Sequence, residues 1–237
     1  IAIFDPCGKN CSDMIFKTIR DRVKKPFILT NKAEVTISVS AGVCEYPGCG
    51  HDALELIKNA EIVLYASKQH EKGSISYFSD EILKVYQEEI VLENKLNDAI
   101  LNNELSVYFQ PQYDANTGAL RGAEALIRWL DENENVVYRP LDFIPLAEKN
   151  GTIIEIGNFV FREVFKSIHE WKVKYRANYI ISINVSAIQL QRSDFIDNLQ
   201  KLIDYYEVDP GLIELEITES VLINDFDTMI ETLRILS

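Results

Sequence analysis

Three polar side chains stand where a β-strand should be apolar or just ending: Glu124 in Gly-Ala-Glu-Ala-Leu-Ile-Arg-Trp, Asn184 in Ile-Ser-Ile-Asn-Val-Ser and Glu216 in Glu-Leu-Glu-Ile-Thr-Glu-Ser. A carboxylate withdrawn from water without a partner is costly, so each needs one. In a β/α barrel the C-terminal ends of the strands gather at one mouth, where residues far apart in sequence converge. Two carboxylates and an amide oxygen there form a hard ligand set, suited to Mg²⁺ or Mn²⁺ rather than to zinc. A plainer reading stands beside it, in which Glu124 and Glu216 pair with Arg or Lys in a rim network and bind nothing. Cys7, Cys11, Cys44 and Cys49, with His51 nearby, raise the question of zinc. Their spacing lacks the paired C-x2-C signature, so reduced structural thiols are expected.

The elements that would position these residues are legible as rhythm. Up to about Phe78 the pattern reads strand, helix, strand, helix, strand, beginning with a strand at Ile1. Met14, Ile15, Ile19 and Val23 recur at helical spacing, and Val35, Ile37, Val39 and Ala41 alternate as a half-buried strand would. Ala53 to Gln69 predicts an amphipathic helix and Ile75 to Phe78 a short strand. From Ser79 to Asn102, Ile82, Leu83, Tyr86, Ile90, Leu96 and Ile100 line one side of a long connecting helix. Thereafter the apolar strands Leu105 to Phe109, Ala123 to Ile127, Ile180 to Val185 and Ile213 to Ile217 alternate with helical stretches, the order of a β/α architecture. Asp225 to Leu236 reads as a further helix. Four or so strands do not close an eight-stranded barrel, so a piece of a longer protein is expected, open on both sides.

Of the 237 residues, 47% are hydrophobic, enough to bury a core. The longest apolar runs fall far short of a membrane span, which needs roughly 20 residues, and no signal peptide is visible. A cytoplasmic setting is expected, with any membrane attachment supplied by segments outside this piece. The net charge of −13 argues against nucleic-acid polymers and anionic membranes as partners, since both need a basic footprint. A small anionic ligand would need a local Arg or a metal.

Five ordered stretches carry a resemblance: Tyr108-Phe109-Gln110-Pro111, Glu124-Ala125-Leu126-Ile127-Arg128-Trp129, Phe143-Ile144-Pro145-Leu146-Ala147-Glu148, Asn184-Val185-Ser186 and Glu216-Ile217-Thr218-Glu219-Ser220. In that order they resemble the N-terminal motifs of the EAL phosphodiesterase family, over about Glu88 to Ser237. The first eighty residues resemble the C-terminal half of a GGDEF domain, through Val39-Ser40-Ala41-Gly42-Val43, Tyr46-Pro47 and the helix from Asn59 to Lys68; the signature hairpin is absent. The implied fold is a partial GGDEF-type α+β domain (1–80), a connecting helix (81–102) and a partial (β/α)8 TIM-like barrel of the EAL type (103–237).

The resemblance also implies roles. Glu124, Asn184 and Glu216 bind the divalent metal, with Glu124 and Glu216 taking part in catalysis. Glu219 props the loop over the metal, as a further catalytic residue. Gln110, Leu126 and Arg128 bind the substrate, with Arg128 gripping a phosphate and Gln110 at a guanine or its ribose. Trp129, Phe143 and Tyr108 are expected to pack in the core or at the rim. The implied reaction is metal-dependent hydrolysis of cyclic di-GMP to linear pGpG. Other ligands of the family lie beyond Ser237, so the chain alone is expected to be inactive and the activity to belong to its parent. A homodimer through EAL or connecting-helix contacts is expected. The alternative is a cyclic di-GMP receptor that binds without cutting.

Overall fold

The computed structural model describes residues 1–3, 9–217, 234 and 236. The chain divides into two compact units, Ile1 to Val91 and Leu92 to Ser237.

The first unit runs α1 (Lys9–Val23), β1 (Phe27–Ile28), β2 (Glu34–Val35), β3 (Ala41–Val43), α2 (Ala53–His70) and β4 (Ile75–Tyr77). β1 and β2 pair antiparallel, and β3 and β4 pair parallel. α2 starts at Asp52, whose carboxylate accepts from the Glu55 amide and so satisfies one orphan N–H of the first turn. The helix lies so close to β3 that a Cβ on Gly42 would collide with the Leu64 amide and the Ala60 carbonyl. The Tyr46–Pro47 peptide is cis.

Three expectations are corrected here. Ile1 to Ile3 form no strand; Ile1 and Ile3 are almost fully exposed, so no buried face holds them extended. The alternation from Val35 to Ala41 yields only the ends, β2 and β3, because Val35 and Ile37 are exposed and a period of two stabilises a strand only where one face is covered. Cys11 is disulfide-bonded, against the expectation of reduced thiols, while Cys44 and Cys49 are free. Burial and the neighbouring Cys49 push the Cys44 thiol up to about 12.

α3 (Asp80–Leu101) crosses the division unbroken, as its apolar period predicts. The second unit then runs β5 (Leu105–Tyr113), β6 (Leu120–Leu130), β7 (Val136–Tyr138), α4 (Pro140–Asn150), α5 (Ile153–Tyr175), β8 (Ile180–Val185), α6 (Ala187–Leu190), α7 (Phe195–Tyr206) and β9 (Ile213–Ile217). The sheet order is β5-β6-β8-β9, with β7 pairing β6. β5 is antiparallel to β6, whereas β6, β8 and β9 are mutually parallel. Helices fill the crossovers, the β/α order read from the sequence. The helical pattern from Asp225 lies outside the described residues, apart from Arg234 and Leu236.

Two cores hold this unit. Val160, Val164 and Ile168 recur every four residues on α5 and, with Phe161 and Phe165, pack against Ala123, Ala125, Ile181, Ile183 and Val185. Each such side chain, once buried, contributes about 1.5 to 3 kcal/mol. The second core joins Leu96 of α3, Leu105, Trp129, Phe143 and Ile156. Trp129 is 1% exposed, and its indole Nε1 donates to Glu104 at 3.0 Å, which removes the cost of burying that donor. Trp129 and Phe143 are thus packing residues, as expected. Among the described residues no helix is long and apolar enough to cross a membrane.

Candidate functional site

The alternation of β6 sorts its side chains by chemistry. Ala123, Ala125 and Ile127 belong to the core beneath α5. Glu124, Leu126 and Arg128 therefore share the opposite face. Pairing extends that face across the sheet, since directly registered residues point the same way. Gln110 stands opposite Glu124, and Glu124 opposite Ser182, which stands opposite Glu214. Tyr108 is registered with Leu126, and Asn184 with Glu216. Gln110, Glu124, Leu126, Arg128, Asn184 and Glu216 are all brought to one face; Glu219 lies outside the described residues.

One contact joins two of the expected metal ligands. Asn184 Nδ2 donates to Glu124 Oε1 at 2.7 Å, from the exposed end of β8 to the partly buried β6. With its amide nitrogen committed to the carboxylate, Asn184 has its carbonyl oxygen left to offer as a ligand. The rim-network reading fits a different residue: Glu214 pairs with Arg121 at 2.7 Å. Among the described residues neither Glu124 nor Glu216 is bridged by Lys or Arg. Two uncompensated carboxylates beside an amide oxygen fit a small divalent cation. No group of three or more His, Cys, Asp or Glu able to hold a metal occurs among the described residues, so the set depends on the amide.

Arg128 is partly buried, and its Nη1 donates to the Ile127 carbonyl at 2.8 Å. It forms no ion pair among the described residues. Gln110 is exposed. Tyr108, expected to pack in the core or at the rim, is 47% exposed on the Glu124 face, which excludes the core. Ser182 was missed in the sequence: it is 1% exposed, and its hydroxyl has no partner among the described residues. A serine within an apolar strand was its signal. Glu148 and Ser186 lay in motifs given no chemical role, and they meet across α4 and the end of β8, where Ser186 Oγ donates to Glu148 Oε1 at 2.6 Å.

Fold and site together define an α/β protein that gathers oxygen-bearing side chains on one face of its parallel strands. Residues 93–237 match the EAL domain, and the chain belongs to that family. It is 31% identical over 216 residues to the bifunctional diguanylate cyclase/cyclic di-GMP phosphodiesterase MucR of Pseudomonas aeruginosa, covering 91% of this chain and 31% of MucR. It is 30% identical over 207 residues to the cyclic di-GMP phosphodiesterase PdeR of Escherichia coli, covering 87% of this chain and 31% of PdeR. The chain thus spans less than a third of these relatives' length. Among solved structures, the PaMucR phosphodiesterase in complex with c-di-GMP superposes with a TM-score of 0.57 at 31% identity, over 61% of this chain and 58% of that one.

Proposed function

We propose that this chain is part of a cyclic di-GMP phosphodiesterase, which adds water across one phosphodiester bond to give linear pGpG. The observation that carries the reading is the Asn184–Glu124 hydrogen bond beside Glu216, on a face where, among the described residues, neither carboxylate has a basic partner. Glu124, Asn184 and Glu216 would hold Mg²⁺ or Mn²⁺. When bound, such a cation lowers the pKa of a water and neutralises charge growing on the phosphate oxygens. Arg128 exchanges the Ile127 carbonyl for a phosphate oxygen and orients the diester. Gln110 and Leu126, on the same face, contact the nucleotide, Gln110 with a guanine or its ribose. Glu219, outside the described residues, keeps the supporting role that the resemblance gives it.

We assign residues 1–80 to the C-terminal half of a GGDEF domain and 81–102 to a connecting helix. The parent protein is read as a cytoplasmic homodimer that meets a membrane only through other segments. The test uses the complete protein that carries this chain. Glu124→Gln is expected to abolish pGpG formation in Mg²⁺ or Mn²⁺ while leaving the unfolding temperature unchanged. Turnover near that of the wild type in this variant would sink the assignment. Tight binding of cyclic di-GMP with no hydrolysis by the wild type would make it a receptor instead.

A further inference from the structure

β8 ends at Val185, and the chain turns at once into the short α6. Ser186, two residues beyond Asn184, is held from several directions. Its Oγ donates to Glu148 Oε1 of α4 at 2.6 Å and accepts from the Ile188 amide at 3.3 Å. Its own amide donates to Gln189 Oε1 at 3.1 Å. Gln189 is 4% exposed and packs so closely on α5 that a Cβ at Gly157 would collide with its side-chain amide. Three helices therefore fix one serine. Asn184, by contrast, is exposed, and among the described residues its side chain makes a single hydrogen bond, to Glu124.

We propose that Glu148 is a positioning residue, which holds the end of β8 through Ser186 so that the Asn184 carbonyl oxygen faces the cation. The inference rests on the reading that Glu124, Asn184 and Glu216 bind that cation. Freezing the peptide after Val185 restricts the backbone from which Asn184 projects, and Val185, 3% exposed, pins the opposite face. Groups that orient metal ligands from behind commonly change affinity by about 10 to 100-fold when removed. A hydrogen-bond acceptor is what the arrangement needs at Glu148, rather than a negative charge.

The test compares Glu148→Ala, Glu148→Gln, Ser186→Ala and Glu124→Gln in the complete protein. Mn²⁺ binding is read by titration calorimetry, alongside unfolding temperature, kcat and KM. Glu148→Ala is expected to weaken Mn²⁺ by about tenfold. Its KM for cyclic di-GMP should not move, and most of kcat should return at saturating Mn²⁺. Glu148→Gln keeps an acceptor and should bind Mn²⁺ nearly as the wild type does. Ser186→Ala, which leaves the carboxylate in place, should reproduce the loss. Wild-type Mn²⁺ affinity in both Glu148→Ala and Ser186→Ala, whatever happens to stability, would reduce the contact to a helix cap and overturn the proposal. So would equal losses in the Ala and Gln variants of Glu148. If Glu124→Gln binds Mn²⁺ as tightly as the wild type, the cation site itself is wrong, a failure visible without reference to Glu148.

Discussion

Arg128 rests with its guanidinium on the Ile127 carbonyl, a neutral acceptor one residue away. A phosphate oxygen replaces that neutral acceptor with an anionic one, and a hydrogen bond of this charge-assisted kind contributes about 1.5 to 3 kcal/mol. Arg128→Ala is therefore expected to weaken cyclic di-GMP binding about tenfold with Mn²⁺ affinity unchanged. Calorimetry on both ligands checks this, and unchanged nucleotide affinity would leave Arg128 as a rim residue. At this scale the sequence singled out Glu124, Asn184 and Glu216 because polar residues interrupt strand patterns, and the strand registers bring the three to one face. The resting partner of Arg128 could not be foreseen, since a carbonyl acceptor leaves no mark on residue type. Nor could the Glu148–Ser186 bond, whose partners lie 38 positions apart and whose geometry depends on how α4 meets β8.

α4 illustrates how an element is started and stopped. Arg139 precedes Pro140, the Asp142 carboxylate accepts from the Arg139 amide and guanidinium, and Gly151 closes the helix at φ 86°. The side-chain hydrogen bond from Arg139 holds the Asp142 carboxyl below the usual carboxylate range, with the Arg139 amide adding to it. Because the folded pKa is lowered, the contribution is full above the ordinary carboxylate pKa and is lost as pH falls through the lowered one. Asp142→Asn should thus unfold slightly below the wild type at neutral pH, by a few degrees at most because the pair is exposed. The difference should vanish in strong acid, which a series of melting curves between neutral and acid pH reads directly. A gap that persists unchanged in acid would exclude the charge. Long periodic elements such as α2 and α3 were legible because their apolar residues recur at helical spacing. Residues 36–40 misled for the opposite reason: their alternation has no covered face to answer it.

For the second unit as a whole, Phe165 is the test of cohesion, being fully buried between α5 and the sheet. Phe165→Ala should cost about 3 to 5 kcal/mol, and Mn²⁺ affinity should fall with the unfolding temperature, because this core carries the strands that present the proposed ligands. Denaturant unfolding with parallel metal titration measures both. A lowered midpoint with metal binding intact would separate core from site. The β/α order from Leu105 to Ile217 followed from the alternation of strand and helix rhythms. The division at Val91 was not readable within α3, since an unbroken helix carries no punctuation where one unit gives way to the next.

β6 serves two masters by parity alone: odd-numbered Ala123, Ala125 and Ile127 belong to the core, even-numbered Glu124, Leu126 and Arg128 to the face of the proposed site. Heredity can therefore edit its letters far more freely than its length. Deleting one residue just before Glu124 would turn the carboxylate toward Val160 and Val164 and hand the ligand face to alanine, undoing core and chemistry in one stroke. The turn from Asp114 to Ala119, closed by its own Asp114–Thr117 hydrogen bonds, is where insertions can accumulate without changing parity.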